Sequence, residues 1–549
     1  MKGSDLFVKC LENEGVEYIF GVPGEETIDL TESLRKSKIK FIPTRHEQSA
    51  AFMADVYGRL THRPGVCLAT LGPGATNLIT GVADAQLDRA PLVAITGQSA
   101  LEKTHKESHQ YIDIVTAFKQ FTTWNSKVTR PSFIPEIIRK AFDIASDRPG
   151  ATHIELPEDV AKEETTKEPI SKKAYTHISI HDERELKKAA GMIKESSMPV
   201  ILAGNGIFRG DASTELRKLV EFTGLPVVTT FMGKGALPAD DEHYLGSMGI
   251  KDHDHIMCGF EMADLVICIG YDYVEYSPKF WNPDNSKKII HIHIDHPEID
   301  ESYIPDIMLI GNIRQALFNM RQQCDFKREM PDRFSNVRSR MKAEIEDYRE
   351  NLSFPMKPQK IIYDVRESLE RSDLLISDVG AHKLWVGRLF PAYEPNTVFI
   401  SNGLATMGFA LPGAIAASMI KPDKKVVAIA GDGGFLMNLQ DLETAVRLGC
   451  NFVVVIFNDS KYGLIEWHEK KTFDQTMGID FTNPDFVMLA HSFGAKGVKI
   501  ERAEDLKPKL IEALNTGGVW LLDVPVDYSE NIKLTEKLKS SFCEVGNEG

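Results

Sequence analysis

The feature that most constrains the fold of this chain is a recurring pair of patterns. A short apolar run closed by glycine is followed by a longer segment whose apolar residues have helical spacing. The clearest runs are VCLATLG (66–72), PLVAITG (91–97), PVILAGNG (199–206), DLVICIG (264–270), KIIHIHID (288–295), KVVAIAGDG (425–433) and NFVVVIFND (451–459). Runs this short, rich in Val and Ile and lacking a polar face, suit strands covered on both sides. Alternating with helices, they form βαβ units in parallel sheets, so an α/β architecture is expected.

A chain of 549 residues exceeds what one core supports, so about three or four domains are expected. Two polar stretches break the rhythm: residues 164–184, which begin EETTKEPISKKAY, and a charged segment from about Asp325 to Pro358. Their composition offers little for a core, which places domain boundaries there. An amino-terminal domain at 1–165, a middle domain at 183–325 and a carboxyl-terminal domain at 357–530 follow. The tail after about Leu534 is expected to be a surface extension. Residues 66–97 and 426–459 share one plan of strand, glycine-rich turn, helix and strand with negligible identity, so the two outer domains are expected to share a fold.

The formal net charge of −15 and the lack of a basic cluster argue against a nucleic-acid partner. No run approaches the ~20 apolar residues of a membrane span, and the first residues, MKGSDLFVKCLENEG, read as an amphipathic helix and not as a signal peptide. Seven scattered cysteines with no CxxC among them fit buried free thiols in a reducing cytoplasm.

Two carboxylates carry the first chemical signal. Asp432 ends one expected strand and Asp459 follows the next; a right-handed crossover puts both at the carboxyl edge of one sheet, where ligands bind. Gly431, Gly433 and Gly434 let backbone amides approach a phosphate at a helix amino terminus. Acidic groups beside a phosphate would repel it unless a hard cation such as Mg²⁺ bridged them. The same residues would also serve a tight strand-to-helix turn with Asp432 as its cap.

The triplet Gly431-Asp432-Gly433, 24 intervening residues and then Asn458 resemble the GDG…N signature of thiamine-diphosphate enzymes. The resemblance implies three domains, with two cofactor-binding outer ones flanking a Rossmann-like middle one, and Mg²⁺ held by Asp432, Asp459 and the carbonyl of Lys461. SDVGAHKLWVGRLF (377–390) and SNGLATMGFALPGAIAA (401–417) are similar to the segments that hold the diphosphate and aminopyrimidine. They implicate Gly380, Ala381, His382 and Ala405, with Met407 as the apolar wedge between the cofactor rings. Gly434, Met437, Tyr462, Gly463, Leu464 and Ile465 join the same pocket by resemblance.

In TRHEQSAAFMADVYGRLT, Glu47 opens a helix, where the dipole alone favours an acidic residue. RHEQ resembles the family motif whose glutamate bonds the pyrimidine N1′ and so lets the cofactor's own amino group take up the C2 proton. Pro23 and Gly24 in FGVPGEE, and Gly72, Pro73 and Asn77 in LGPGATN, match other pocket positions. Gln110 in SHQYID matches a polar residue near the reacting carbon. The family's active site joins the glutamate-bearing domain of one subunit to the diphosphate-bearing domain of another, which implies a dimer or tetramer.

GYDYVEYSPKFWNPDNSKKIIHI (270–292), AYEPNTVFISNG (392–403) and DVPVDYSENIKL (523–534) resemble the catabolic, pyruvate-specific acetolactate synthases. The resemblance implies decarboxylating condensation of two pyruvates to 2-acetolactate and CO₂ through a thiamine ylid and enamine. FAD is expected not to be required, since YDYVEYSP replaces the flavin-contacting stretch of the biosynthetic enzymes. Where those carry a specificity tryptophan, this chain has His468, with Trp467 one residue earlier. The extra charge in 101–113 and the pair Glu25/Glu26 depart from the pattern. A 2-oxoacid decarboxylase or a flavin-containing synthase or oxidase is the alternative. GNGIFRG (204–210) places Arg209 at the third glycine position of a dinucleotide fingerprint, against a nicotinamide enzyme. His291 and His293 are expected to be structural.

Overall fold

The computed structural model describes residues 1–172, 181–250 and 255–534. The tail after Leu534 and part of the 164–184 stretch lie outside the described residues. Among the described residues, eighteen strands form three six-stranded sheets, parallel throughout. The first contains β1 (Tyr18–Gly21), β2 (Lys40–Pro43), β3 (Gly65–Ala69), β4 (Leu92–Gln98), β5 (Trp124–Lys127) and β6 (Ala151–Pro157). The second contains β7 (Pro199–Ala203), β8 (Val227–Thr230), β9 (Tyr244–Met248), β10 (Leu265–Ile269), β11 (Lys288–His293) and β12 (Ile307–Ile310). The third contains β13 (Leu374–Ser377), β14 (Val398–Ile400), β15 (Val426–Gly431), β16 (Phe452–Asn458), β17 (Lys496–Lys499) and β18 (Val519–Pro525). All seven apolar runs picked out above are strands, and every residue of β3, β4, β7 and β10 is buried.

The outer sheets have one wiring. Their strand orders, β2-β1-β3-β4-β6-β5 and β14-β13-β15-β16-β18-β17, coincide when each is counted from its own first strand. The middle order, β12-β11-β10-β7-β8-β9, is that of a doubly wound dinucleotide-type sheet. Three α/β domains result.

The outer domains of one chain are fused through a shared core. Helix Glu47–Thr61, built on Ala50, Ala51, Phe52, Met53, Ala54 and Val56, packs against helix Ala410–Ile420 in one buried cluster. Phe52 meets Phe409 edge to face at 5.6 Å, and the Arg59 guanidinium lies 5.4 Å from the centre of the same ring. Losing either ring would cost about 3–5 kcal/mol.

The charged segment near 325–358 is not featureless. It contains helix Asp332–Asp347, whose Phe334, Val337 and Met341 insert into a core of the middle domain. Cys10, Cys67, Cys268, Cys324 and Cys450 are buried free thiols. His291 bonds the Tyr303 hydroxyl at 2.9 Å and the Asp295 carbonyl at 3.1 Å, and no group of three or more His, Cys, Asp or Glu side chains is placed to hold a metal among the described residues.

Candidate active site

Parallel strands send every loop of interest to the same edge of a sheet. In the third sheet, β13 leads into Asp378–His382, β14 into Ser401–Met407, β15 into Asp432 and β16 into Asp459. Gly431 and Phe457 pair in register, which brings the two carboxylates together. One cavity of about 240 Å³ is lined by Gly380, Ala381, His382, Ala405, Met407, Gly431, Asp432, Gly433, Gly434, Asp459, Lys461, Tyr462, Gly463, Leu464 and Ile465. Met437 does not line it; its Cβ instead packs against Gly408, behind the Met407 loop.

Asp432 is 1% exposed. It accepts N–H bonds from Gly433 (2.8 Å), Asp459 (3.2 Å) and Ser460 (2.7 Å), and one from the Asn483 amide (2.7 Å). Burial raises its pKa and these bonds oppose the rise. Asp459 is pushed up to about 7, by burial first and by repulsion from Asp432 second. Two carboxylates that repel one another in a partly buried pocket are stable as anions only beside a cation.

The glycines make the cradle close-fitting. A Cβ on Gly434 would stand 2.8 Å from the Asp378 carboxylate, and one on Gly431 3.3 Å from the His382 ring. His382 is itself 2% exposed, and its Nε2 has no partner in the structure. Burial lowers its pKa to about 4, with a bond to the Asp378 carbonyl opposing the drop, so the ring is neutral. Glycine amides at a helix amino terminus beside an acidic pair, with a buried ring nitrogen still unpartnered, fit a diphosphate with a divalent cation.

The Met407 loop is tethered on three sides. Asp378 accepts from the amides of Gly408 (2.9 Å) and Ala410 (3.0 Å), and Asn438 donates to the Gly408 carbonyl at 2.7 Å. From the amino-terminal domain, Asp88 accepts from the amides of Asn402 (3.0 Å) and Gly403 and from Arg59 (2.8 Å), while Ser401 donates to Asp84 at 2.7 Å. Ala405 takes a left-handed conformation (φ 54°) on this loop.

The amino-terminal residues gather at the carboxyl edge of the first sheet. Glu47 is the first residue of its helix, which His46 caps by accepting from the Gln48 amide. Its carboxylate is 8% exposed and accepts from Asn77 at 3.0 Å, with Gly74 against its other oxygen. Pro73 occupies the first turn of the helix that carries Asn77. Gly72 has φ 52°, and a Cβ there would meet the Gln110 carbonyl at 2.7 Å; Gln110 is exposed with φ 57°. Pro23 and Gly24 follow β1, where a Cβ on Gly24 would overlap Thr70. Thr70 donates to Glu26 at 2.7 Å, so one of the two departing glutamates has a defined partner. None of this amino-terminal set lines the 240 Å³ cavity.

Sequence reasoning missed Asp378, Asn483 and Tyr528. Tyr528 lines the cavity, and burial holds its phenol well above the ordinary range, with Asp459 and Asp432 adding to the rise. It stands in DVPVDYSEN, a segment already singled out, and Asp378 stands in SDVGAH; nothing local marks Asn483. Trp467 packs on the neighbouring core and stacks on His468 at 5.2 Å.

Comparison with known proteins is consistent with this geometry. Residues 1–117, 186–320 and 378–524 match the N-terminal TPP binding, central and C-terminal TPP binding domains of thiamine pyrophosphate enzymes. The acetolactate synthase of Bacillus subtilis (strain 168) is 36% identical over 99% of this chain and 96% of its own. The chain belongs to the acetolactate synthase family. Other members of that family include the probable large subunit of Methanocaldococcus jannaschii, 36% identical over 97% of this chain and 93% of its own. The catabolic acetolactate synthase of Raoultella terrigena is 32% identical, covering 98% and 97%. This family member is thus a thiamine-diphosphate-dependent enzyme that forms acetolactate. No helix among its described residues is long and apolar enough to cross a membrane.

Proposed function

We propose that the enzyme condenses two molecules of pyruvate to 2-acetolactate with loss of CO₂, using Mg²⁺ and no FAD. The observation that carries the reading is the carboxyl-edge cavity, where the unpartnered Nε2 of His382 stands with the Asp432/Asp459 pair. Asp432, Asp459 and the Lys461 carbonyl would hold Mg²⁺; Gly380, Ala381, His382 and Gly431–Gly434 would hold the diphosphate. Bound thiamine diphosphate supplies a nucleophilic carbon and an electron sink for decarboxylation.

The protein's part is placement and proton control. Met407, on its tethered loop, would be the apolar wedge of the cofactor site, and Glu47 would hold a proton at the pyrimidine N1′. The apolar side chains of Leu464 and Ile465, which line the cavity, would limit water at the reacting carbon and so favour carbon–carbon bond formation over aldehyde release. Because Glu47 and its neighbours do not line the cavity of their own chain, we place the complete site between two copies, in a dimer or tetramer. The domains are proposed at 1–165, 183–325 and 357–530.

The middle domain supports the absence of flavin. The amides at the GNG turn, where a doubly wound sheet would grip a nucleotide phosphate, are taken by the chain itself. The Glu275 carboxylate accepts from the Asn205 amide at 3.0 Å and the Asp272 amide at 3.3 Å. Pyruvate incubated with thiamine diphosphate and Mg²⁺, with and without FAD, should yield acetolactate at equal rates. Acetaldehyde as main product, or a requirement for FAD, would overturn the proposal.

A further inference from the structure

A second cavity, of about 310 Å³, lies behind the helix whose first turn reaches the cofactor cavity. It is bounded by β9, by helix Asp332–Asp347 and by the last turn of helix Ala381–Leu389. Leu245, Met341, Ile345 and Phe390 make one wall apolar; Lys234, Tyr244 and Arg338 make the other polar.

Lys234 is 2% exposed. Its ammonium donates to the Ser247 hydroxyl at 3.1 Å and to the Gly387 carbonyl at 2.9 Å, both neutral, and an ammonium has three donors. Ser247 and Tyr244 bond each other at 2.9 Å, so their oxygens are already shared. Arg338 donates only to the main-chain carbonyls of Asp240 and Asp241. The acidic groups nearby are largely committed elsewhere. Asp240 is held by Arg371 at 2.7 Å, and Glu344 by Arg388 at 2.7 Å. Glu346 and Lys342 are exposed at the rim. Lys234 and Arg338 therefore face the cavity without a carboxylate of their own. Burial lowers the Lys234 pKa to about 7, the expected response of an ammonium with no anion beside it.

We propose that this cavity binds a small monocarboxylate with an apolar body. The volume lies at the lower end of the range of small-molecule sites. One ammonium and one guanidinium match a single carboxylate, whereas a phosphate would turn some of its oxygens toward the apolar wall. The ligand would touch the helix that also carries Ala381 and His382, because Gly387 and Arg388 sit at its other end. Occupancy here would reach the cofactor cavity through one rigid element.

The test is calorimetric titration of the protein loaded with thiamine diphosphate and Mg²⁺, with 3-methylbutyrate as probe and acetate and inorganic phosphate beside it. Binding does not depend on turnover, so the outcome stands apart from the proposed reaction. We expect 3-methylbutyrate to bind wild type more tightly than acetate or phosphate. Lys234→Met and Arg338→Gln should each weaken it at least about tenfold, the scale of one charge-assisted bond. No binding, unchanged affinity in both variants, or tighter binding of phosphate would each overturn the proposal. Arg338 is only partly buried, so its variant decides the matter if Lys234→Met does not fold.

Discussion

Replacing Asp88 with Asn should separate turnover from cofactor binding. Asp88 is 4% exposed. One of its oxygens accepts from the Gly403 amide, and the other accepts from the Asn402 amide at 3.0 Å and Arg59 at 2.8 Å. An asparagine has a single acceptor oxygen. Its least costly orientation keeps Asn402 and Arg59 satisfied and turns an NH₂ group toward the Gly403 N–H. One buried donor is then unpaired, at about 1–3 kcal/mol. The loop can relieve this only by moving, and Met407 moves with it. A wedge displaced by about 1 Å costs on the order of 100-fold in turnover, while the distant diphosphate and metal contacts persist. The assay is steady-state acetolactate formation against thiamine diphosphate concentration, with thermal unfolding in parallel. The expected result is kcat down about 10- to 100-fold, half-saturation by cofactor little changed, and a midpoint lower by a few degrees. Asp84→Asn is the matched control: one of its oxygens accepts from Ser401, and the other is already buried without a partner, so an amide there exchanges one unpartnered atom for another and frees no loop amide. Wild-type turnover in Asp88→Asn, or equal damage from Asp84→Asn, would show that the loop keeps its place without this acceptor.

Glu47→Gln should retain cofactor and lose most turnover, by about 100-fold or more; full activity would remove Glu47 from its assigned role. Asp432→Ala should fail to hold thiamine diphosphate through gel filtration in excess chelator, under which wild type also releases it slowly; retention by the variant would contradict metal bridging. Burial pushes the Glu275 carboxyl up to about 8, aided by repulsion from Asp272. A carboxyl whose folded pKa lies above its unfolded value stabilises the fold fully below about 4.3, its unfolded pKa, and that stability is lost as pH rises through about 8. The thermal midpoint should therefore fall between about pH 4.3 and 8, and Glu275→Gln should flatten that slope; an unchanged slope would refute the assignment.

Legibility in the sequence followed burial. The seven runs read as strands because both of their faces are covered, so no polar alternation dilutes them. WNSK of β5 and KGVK of β17 pair on one side only and are partly exposed, and nothing in their composition sets them apart from loops. Helix Asp332–Asp347 escaped notice because three apolar residues, Phe334, Val337 and Met341, anchor an otherwise charged surface helix. In the candidate site, Asp432 and Asp459 were legible from the expected crossover, since each closes a strand. Asp378 and Asn483 were not. Asp378 acts on amides about 30 residues onward and Asn483 on a carboxylate 51 residues back, and such partners exist only once the loops have converged.

The core that Phe52 and Phe409 share has a consequence for how defects combine. It fixes the two half-sites of a chain to one another, so a chain cannot swing its own Glu47 edge over its own Asp432 edge without breaking buried contacts. If each site is completed by a second chain, two different lesions need not be additive. A dimer pairing a Glu47→Gln chain with an Asp432→Ala chain holds one site with both defects and one with neither. Random mixing of two inactive variants would then return about one quarter of wild-type sites, a complementation that no single chain could provide for itself.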